Sequence, residues 1–290
     1  MSAVPDRKKQ NAEAITGRPW ETLTPGQQSD PLAFMPDGSA LPPGASSLVD
    51  HDFWGTPPEV AAAIVDVLGP RLFRSIPRDC IEQQPDGLPY LIEPTAGYGA
   101  FVEHIEAALA TREQTRPDAQ RFNLIGLDDA TQCYGALCER FPDVEIMEAD
   151  FLDAAHDVQF WGRNNIALGN PPFRQARDLQ FVDACKRICC RFALILPLTL
   201  LEPCENRSWT VQTARYRAFR QGLTSVYPIR RVSFVNLLGG PSTAGKRPVG
   251  VFYYERDPRG LWTGSAPGNT SLNYSIQDRL DAGAESWENH

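Results

Sequence analysis

No run of about eighteen apolar residues occurs in the 290-residue chain, so no segment reads as a membrane span. The first residues, MSAVPDRKKQNAEAITG, lack the apolar core of a signal peptide, and a soluble cytoplasmic protein is expected. There is no Gly-Lys-Ser or Gly-Lys-Thr turn, which removes P-loop phosphate chemistry. His51, His104, His156 and His290 are scattered, with no Ser or Cys elbow, so nucleophilic hydrolysis lacks its parts. The seven cysteines are odd in number and follow no framework spacing, which suits a reducing compartment without disulfides. Cys185, Cys189 and Cys190 cluster, but not in a pair-and-pair zinc spacing. They fall on the apolar side of an expected helix, so packing accounts for them and no metal is expected. No internal repeat is found.

What is present is an ordinary globular composition, 42% hydrophobic and 22% charged, enough for one large core or two modest ones. Residues 1–50 are rich in Pro, Gly, Ser and Ala, as in PDGSALPPGASS, and read as a disordered or loosely ordered tail. An organised region is expected over 51–260 and an irregular tail over 261–290. The net charge of −8 argues against a polyanionic partner until its distribution is examined. From Arg174 to Arg247 there are 13 Lys and Arg against 4 Asp and Glu, an excess of nine positive charges that leaves −17 on the rest. A solvated imbalance with no partner explains such a segment, and so does a nucleic-acid face.

Between the tails, short apolar strands alternate with amphipathic helices. EVAAAIVDVL has prolines at its first turn and ends at Gly69-Pro70, the pattern of a helix. LPYLIEP, RFNLIGLD, VEIMEAD, NNIALGNPP, RFALILPL, VYPIRRVSFV and VGVFYYER read as strands. GAFVEHIEAALA, ATQCYGALCERF, QARDLQFVDACKRICC and WTVQTARYRAFRQG read as helices. The pattern predicts an α/β domain with a mostly parallel sheet. The last two strands lack a helix between them, and NLLGGPSTAGKRP is too long for a tight hairpin, so a terminal antiparallel pair with a sizeable loop is expected.

In such a sheet a ligand sits at the carboxyl ends of the strands, where successive connections diverge. The first strand ends in Glu93-Pro-Thr-Ala-Gly-Tyr-Gly99, where Gly97 and Gly99 permit a tight turn and close approach to a ligand. A bare strand-to-helix turn explains those glycines too, and the sequence is not Gly-x-Gly-x-x-Gly. Glu93 would repel a pyrophosphate but pair with an ammonium group. The second strand ends in Asp128, placed to accept the two ribose hydroxyls of an adenosine; as a helix cap, its neighbour Asp129 serves better. The third ends in Asp150-Phe151, where the carboxylate suits an adenine amino group and the ring suits a cover for the base; a loop Asp beside a core Phe is the alternative. Three acids and a glycine turn describe a pocket for a cationic adenosine derivative, and S-adenosylmethionine fits.

The fourth strand runs into Asn170-Pro171-Pro172-Phe173. Two prolines remove two backbone donors and fix the path, leaving the Asn170 amide oxygen and the Pro171 carbonyl as adjacent acceptors. Two acceptors side by side suit an exocyclic amine, whose delocalised lone pair they localise by drawing on both hydrogens. Phe173 offers a face for a flat base taken out of its stack.

The order WGTPPEV, EPTAGYGAF, GLD, ADF and GNPPF resembles the class I S-adenosylmethionine-dependent amino-methyltransferases, specifically the DNA N6-adenine group whose cofactor motif precedes its Asn-Pro-Pro-aromatic motif. The resemblance covers roughly residues 52 to 256 and makes 51–260 a catalytic domain. It implies a Rossmann-like fold with a seven-stranded, mostly parallel sheet ending in an antiparallel pair. It also implies that Thr56, Pro57, Glu93, Thr95, Gly97, Gly99, Asp128, Asp150 and Phe151 line the S-adenosylmethionine pocket, and that Asn170, Pro171, Pro172 and Phe173 hold the target amine. The chain departs from the pattern in the extra TREQTRPDAQ segment and in carrying no separate target-recognition domain. Candidate contacts to nucleic acid are Arg174 in RQARD, ENRSW, and Lys246 and Arg247 in GGPSTAGKRP; a mobile Gly-rich loop is the other account of the last. Phe234 is either a second aromatic beside the base or a core residue. RNA adenine, cytosine N4, a protein glutamine amide, or a silent binding module with this fold remain the alternatives. A compact stand-alone enzyme of this type would suit a phage or mobile element.

Overall fold

The computed structural model describes residues 19–22, 54–76, 87–128, 131–157, 161–173, 177–201, 219–229, 232, 235–236, 248–257, 259–263 and 271–287. The chain divides into two units. In one, β1 (Trp54–Gly55) and β8 (Val235–Asn236) pair antiparallel, Trp54 opposite Asn236. The other carries β2 (Tyr90–Glu93), β3 (Asn123–Asp128), β4 (Glu145–Glu148), β5 (Asn165–Gly169), β6 (Cys189–Pro197), β7 (Leu223–Ile229), β9 (Val249–Glu255) and β10 (Ser271–Leu272). Its helices are α1 (Pro58–Leu72), α2 (Ala100–Thr115), α3 (Thr131–Arg140), α4 (Phe151–Ala154), α5 (Arg177–Ile188) and α6 (Ser275–Trp287).

The large unit is an α/β, Rossmann-like fold with a mostly parallel sheet. Its sheet has eight strands in the order β10-β7-β9-β6-β5-β2-β3-β4, parallel except for β9, which runs antiparallel to both β6 and β7. Seven strands were expected; the eighth is the two-residue β10, added to the β7 edge. All four residues of β2 and all five of β5 are buried, as central strands covered on both faces must be. On one face Tyr90, Ile92, Ile125, Leu127, Phe192 and Leu194 pack with Phe181, Val182 and Cys185 of α5. Elsewhere α1 packs on α2 and α6, and α6 on β7.

Topology places the functional edge. The chain winds from β2 to β3 to β4 on one side of β2, then returns to β5 on the other. The connections leaving β2 and β5 therefore diverge, and a crevice is expected at the carboxyl ends of these two strands.

Several expectations are corrected. The first helix passes through Gly69-Pro70 to Leu72, because Pro70 is exposed and the Phe73 amide still finds the Gly69 carbonyl at 2.8 Å. The helix ending at Cys190 stops instead at Ile188, and Cys189 opens β6, where strand pairing with Asn165 captures it. The region 261–290 is not irregular throughout. Trp262 donates to the Lys186 carbonyl at 3.0 Å and meets the Phe192 ring edge-on at 5.5 Å. Helix α6 follows, opened by Asn273, whose side chain accepts the Ser275 amide at 2.9 Å, and anchored by the fully buried Ile276. Most of the 1–50 tail and of WTVQTARYRAFRQG lies outside the described residues.

Candidate functional site

The turn between β2 and α2 is fixed by its neighbours. Gly97 and Gly99 take φ of 55° and 86°, the left-handed region in which a side chain is strained. A Cβ on Gly99 would also lie 2.2 Å from the Phe141 ring, so position 99 excludes larger residues twice over. The Ala96 amide donates to the Leu127 carbonyl at 2.8 Å, the Gly99 amide to the Ala96 carbonyl at 2.7 Å, and the Gly97 amide to Asp128 Oδ2 at 2.7 Å. The Ala149 amide donates to the Asp128 carbonyl at 3.1 Å. The ends of β2, β3 and β4 are thus laced into one rim, with Asp128 at its middle.

Glu93 closes β2 and is 1% exposed, and its Oε2 has no hydrogen-bond partner among the described residues. Burial, and secondarily the Asp128 carboxylate, hold the Glu93 carboxyl well above the usual carboxylate range, against a hydrogen bond from the Val102 backbone. A buried polar atom left unsatisfied costs about 1–3 kcal/mol, more when charged, so a cationic partner here would offset a real cost.

The β5 turn sits against the same place. Thr95 Oγ1 donates to the Asn170 carbonyl at 3.0 Å, joining the glycine turn to the Asn-Pro-Pro turn. A Cβ on Gly169 would meet Pro94 Cδ at 2.8 Å and stand 3.5 Å from Glu93 Oε1, so glycine at 169 is what lets the two strand ends close up. Asn170 is partly exposed, with its Oδ1 buried; Pro171 is buried, and Pro172 and Phe173 are partly exposed.

Two of the expected residues meet partners within the chain. Asp150 Oδ1 accepts the Leu152 amide at 2.8 Å as the cap of α4, and Oδ2 pairs with Arg177 at 2.6 Å. Both oxygens already hold protein donors, so Asp150 works first as a tie between the end of β4 and the start of α5. Phe151 is 1% exposed and stacks on Phe181, ring centroids 5.5 Å apart, so it shows no open face to a base. Thr56 is buried and Pro57 stands just before α1, its carbonyl accepting the amides of Val60 and Ala61, both at 3.0 Å. Arg174, Phe234, Lys246 and Arg247 lie outside the described residues.

Three residues here were not singled out by sequence. Tyr98 lies between the two left-handed glycines and is 36% exposed. Arg140 donates to the Tyr98 carbonyl at 2.9 Å while pairing with Glu103, and holds the turn from α3. Arg177 begins α5 just past the Asn-Pro-Pro-Phe turn and binds Asp150. A polar cavity of about 520 Å³ opens beside this pair, lined by Asp153, His156, Gln180 and Arg187 among others. A larger groove, about 1000 Å³, runs between α1 and α2 past Ala62, Gly69 and Ala107 and contains none of the strand-end residues. Among the described residues no three His, Cys, Asp or Glu side chains are grouped to hold a metal, and no helix is long and apolar enough to cross a membrane.

A scan against protein-family models finds no match, and no curated protein matches the sequence. Solved structures do. A protein described as a class I S-adenosylmethionine-dependent methyltransferase from Listeria monocytogenes is 10% identical, with a TM-score of 0.49 over 81% of this chain and 71% of that one. A protein assigned as an RNA methyltransferase from Pyrococcus horikoshii is 13% identical, with a TM-score of 0.45 over 70% of this chain and 86% of that one. The Type ISP restriction-modification enzyme LlaGI, solved with a DNA substrate mimic, is 11% identical, with a TM-score of 0.46 over 80% of this chain and 29% of that one.

Proposed function

We propose that this chain is an S-adenosylmethionine-dependent methyltransferase that acts on the exocyclic N6 amine of adenine in DNA. The observation that carries the reading is the 3.0 Å hydrogen bond from Thr95 to the Asn170 carbonyl, which sets the glycine turn and the Asn-Pro-Pro turn side by side at the topological switch point. The buried, half-satisfied carboxylate of Glu93 stands beside that junction and fits a cationic donor.

Bound there, S-adenosylmethionine supplies an electrophilic methyl group on a sulfonium centre. The residues of the chain act by position. Glu93 meets the ammonium of the donor, an interaction that offsets the burial of its carboxylate. Asp128, held in register by the Gly97 amide, accepts ribose hydroxyls with its remaining lone pairs. Gly97 and Gly99 keep side chains out of the donor's path, Thr95 braces the two turns, and Thr56 and Pro57 line the pocket as the resemblance implies. Asp150 and Phe151 shape its adenine end by anchoring α4.

Asn170 Oδ1 and the Pro171 carbonyl accept hydrogen bonds from the two hydrogens of the target amine and localise its lone pair toward the methyl group. Pro172 fixes the turn, and Phe173 supports the extruded base. Transfer would disperse the donor's positive charge onto the amine nitrogen, which then gives up a proton to solvent, so alignment and exclusion of water contribute more than acid-base assistance to the transfer itself. The nine-charge basic excess between Arg174 and Arg247 supports a nucleic-acid substrate, with Arg174, Lys246, Arg247 and Phe234 as its contacts.

The test is incubation with methyl-labelled S-adenosylmethionine and a panel of duplex DNA, single-stranded DNA, RNA and protein, followed by mass spectrometry of the modified atom. Label on adenine N6 in DNA is expected. Label on RNA, on cytosine N4 or on a glutamine amide would move the substrate, and binding without transfer would make the chain a silent module.

A further inference from the structure

Resting on that donor reading, we propose that Tyr98 is the aromatic platform for the donor's adenosine, the place that sequence alone gave to Phe151. The site needs a flat apolar surface near Asp128, and Phe151 has turned its ring into the core against Phe181. Tyr98, in the glycine turn itself, is a large side chain that stays open, 36% exposed.

Its setting is that of a fixed support. The residue before it donates its amide to Asp128, the residue after it donates to Ala96, and its own carbonyl is held by Arg140. Gly99, with φ of 86° and the Phe141 ring packed against it, prevents the turn from relaxing. The backbone is therefore locked while the ring is left partly uncovered, so a ligand that covers it incurs little ordering entropy. Partial burial first, then Cys133 and Asp128, raise the Tyr98 hydroxyl above the ordinary tyrosine range. Tyr98 thus follows directly on the Gly97 amide that binds Asp128, the carboxylate assigned to the ribose. Contact between a nucleoside base and an aromatic face is worth roughly ten- to a hundredfold in affinity.

The test is calorimetry of the full chain with S-adenosylhomocysteine and, separately, with 5′-methylthioadenosine, using wild type, Tyr98→Ala, Tyr98→Phe and Asp128→Ala. Tyr98→Ala should weaken both ligands about tenfold or more, and by similar factors, because the shared adenosine is what the ring touches. Tyr98→Phe should stay within about threefold, and ligand-free melting should be unchanged in both. Should Tyr98→Ala unfold, Tyr98→Leu, which keeps bulk without a flat face, carries the same expectation. Binding by Tyr98→Ala equal to wild type, while Asp128→Ala loses affinity, would overturn the platform and leave the donor reading standing. A Phe variant as weak as Ala would also overturn it, by assigning the contact to the hydroxyl. Wild-type protein that binds neither ligand would end the donor reading itself.

Discussion

The strand β5 has an asparagine at its start and another just past its end, and the two ends of the sheet differ in how they treat buried polar groups. At the amino end Asn165 is 0% exposed and saturated: Nδ2 donates to the carbonyls of Trp161 at 2.7 Å and Ile188 at 2.9 Å, while Oδ1 accepts the Tyr90 amide at 3.1 Å. Those three bonds tie the loop before β5, the end of α5 and the start of β2 into one closed network. At the carboxyl end the polar groups are as numerous, but the buried Glu93 keeps an oxygen with no partner among the described residues, beside Asn170 and Asp128. A buried polar group with every bond made belongs to the fold; one left short beside a glycine turn and a second carboxylate is a candidate to meet a ligand.

Breaking the comparison at either end should have different consequences. Asn170→Ala is expected to lower methyl transfer on the order of 10³-fold, as loss of a positioned transition-state contact does, with S-adenosylhomocysteine affinity nearly unchanged. Loss of transfer and binding together, in the same kinetic and calorimetric series, would mean that Asn170 belongs to the donor pocket. Asn165→Ala should do the reverse. It strands one amide and two carbonyls, so urea unfolding should show a loss of about 3 kcal/mol or more, with activity falling only in step with the folded fraction.

Asp128→Ala should weaken S-adenosylhomocysteine by about 1–3 kcal/mol in calorimetry, through lost charge-assisted bonds to ribose and a loosened Gly97 amide. Equal affinity would reject that role. The smallest effect is expected from Glu93→Gln and is read in pH dependence. An acid whose folded pKa lies above its unfolded value holds its proton longer in the folded state, so its contribution is favourable at low pH and lost as pH rises. Stability of the wild type should therefore decline from the ordinary carboxylate range upward until Glu93 ionises, and Glu93→Gln should flatten that slope. Donor affinity should rise with pH over the same interval in the wild type only.

The comparison also explains what sequence could and could not show. The central strands were legible because they are covered on both faces, so YLIE and NIALG had to be apolar almost throughout. The glycine turn, Asp128 and the Asn-Pro-Pro turn were legible because their chemistry is local: a conformation, a strand end, a missing donor. What sequence left open depends on partners distant along the chain. The direction of the Phe151 ring is set by Phe181, and the work of Asp150 by Arg177, 27 residues downstream. Helix α6 escaped notice because, among its described side chains, one fully buried residue, Ile276, gives little periodic signal. Tyr98 was passed over because the glycines on either side explained the turn without it.

The most direct test of the central claim is a crystal structure of the chain with bound S-adenosylhomocysteine, read for the position of the sulfur. The account predicts the ligand's ammonium at Glu93 Oε2, its ribose at Asp128, and its sulfur facing the Asn170 amide across a gap of roughly one methyl group and one amine nitrogen. Sulfur bound on the far side of the glycine turn, or ligand seated in the groove between α1 and α2 with Glu93 still bare, would contradict it.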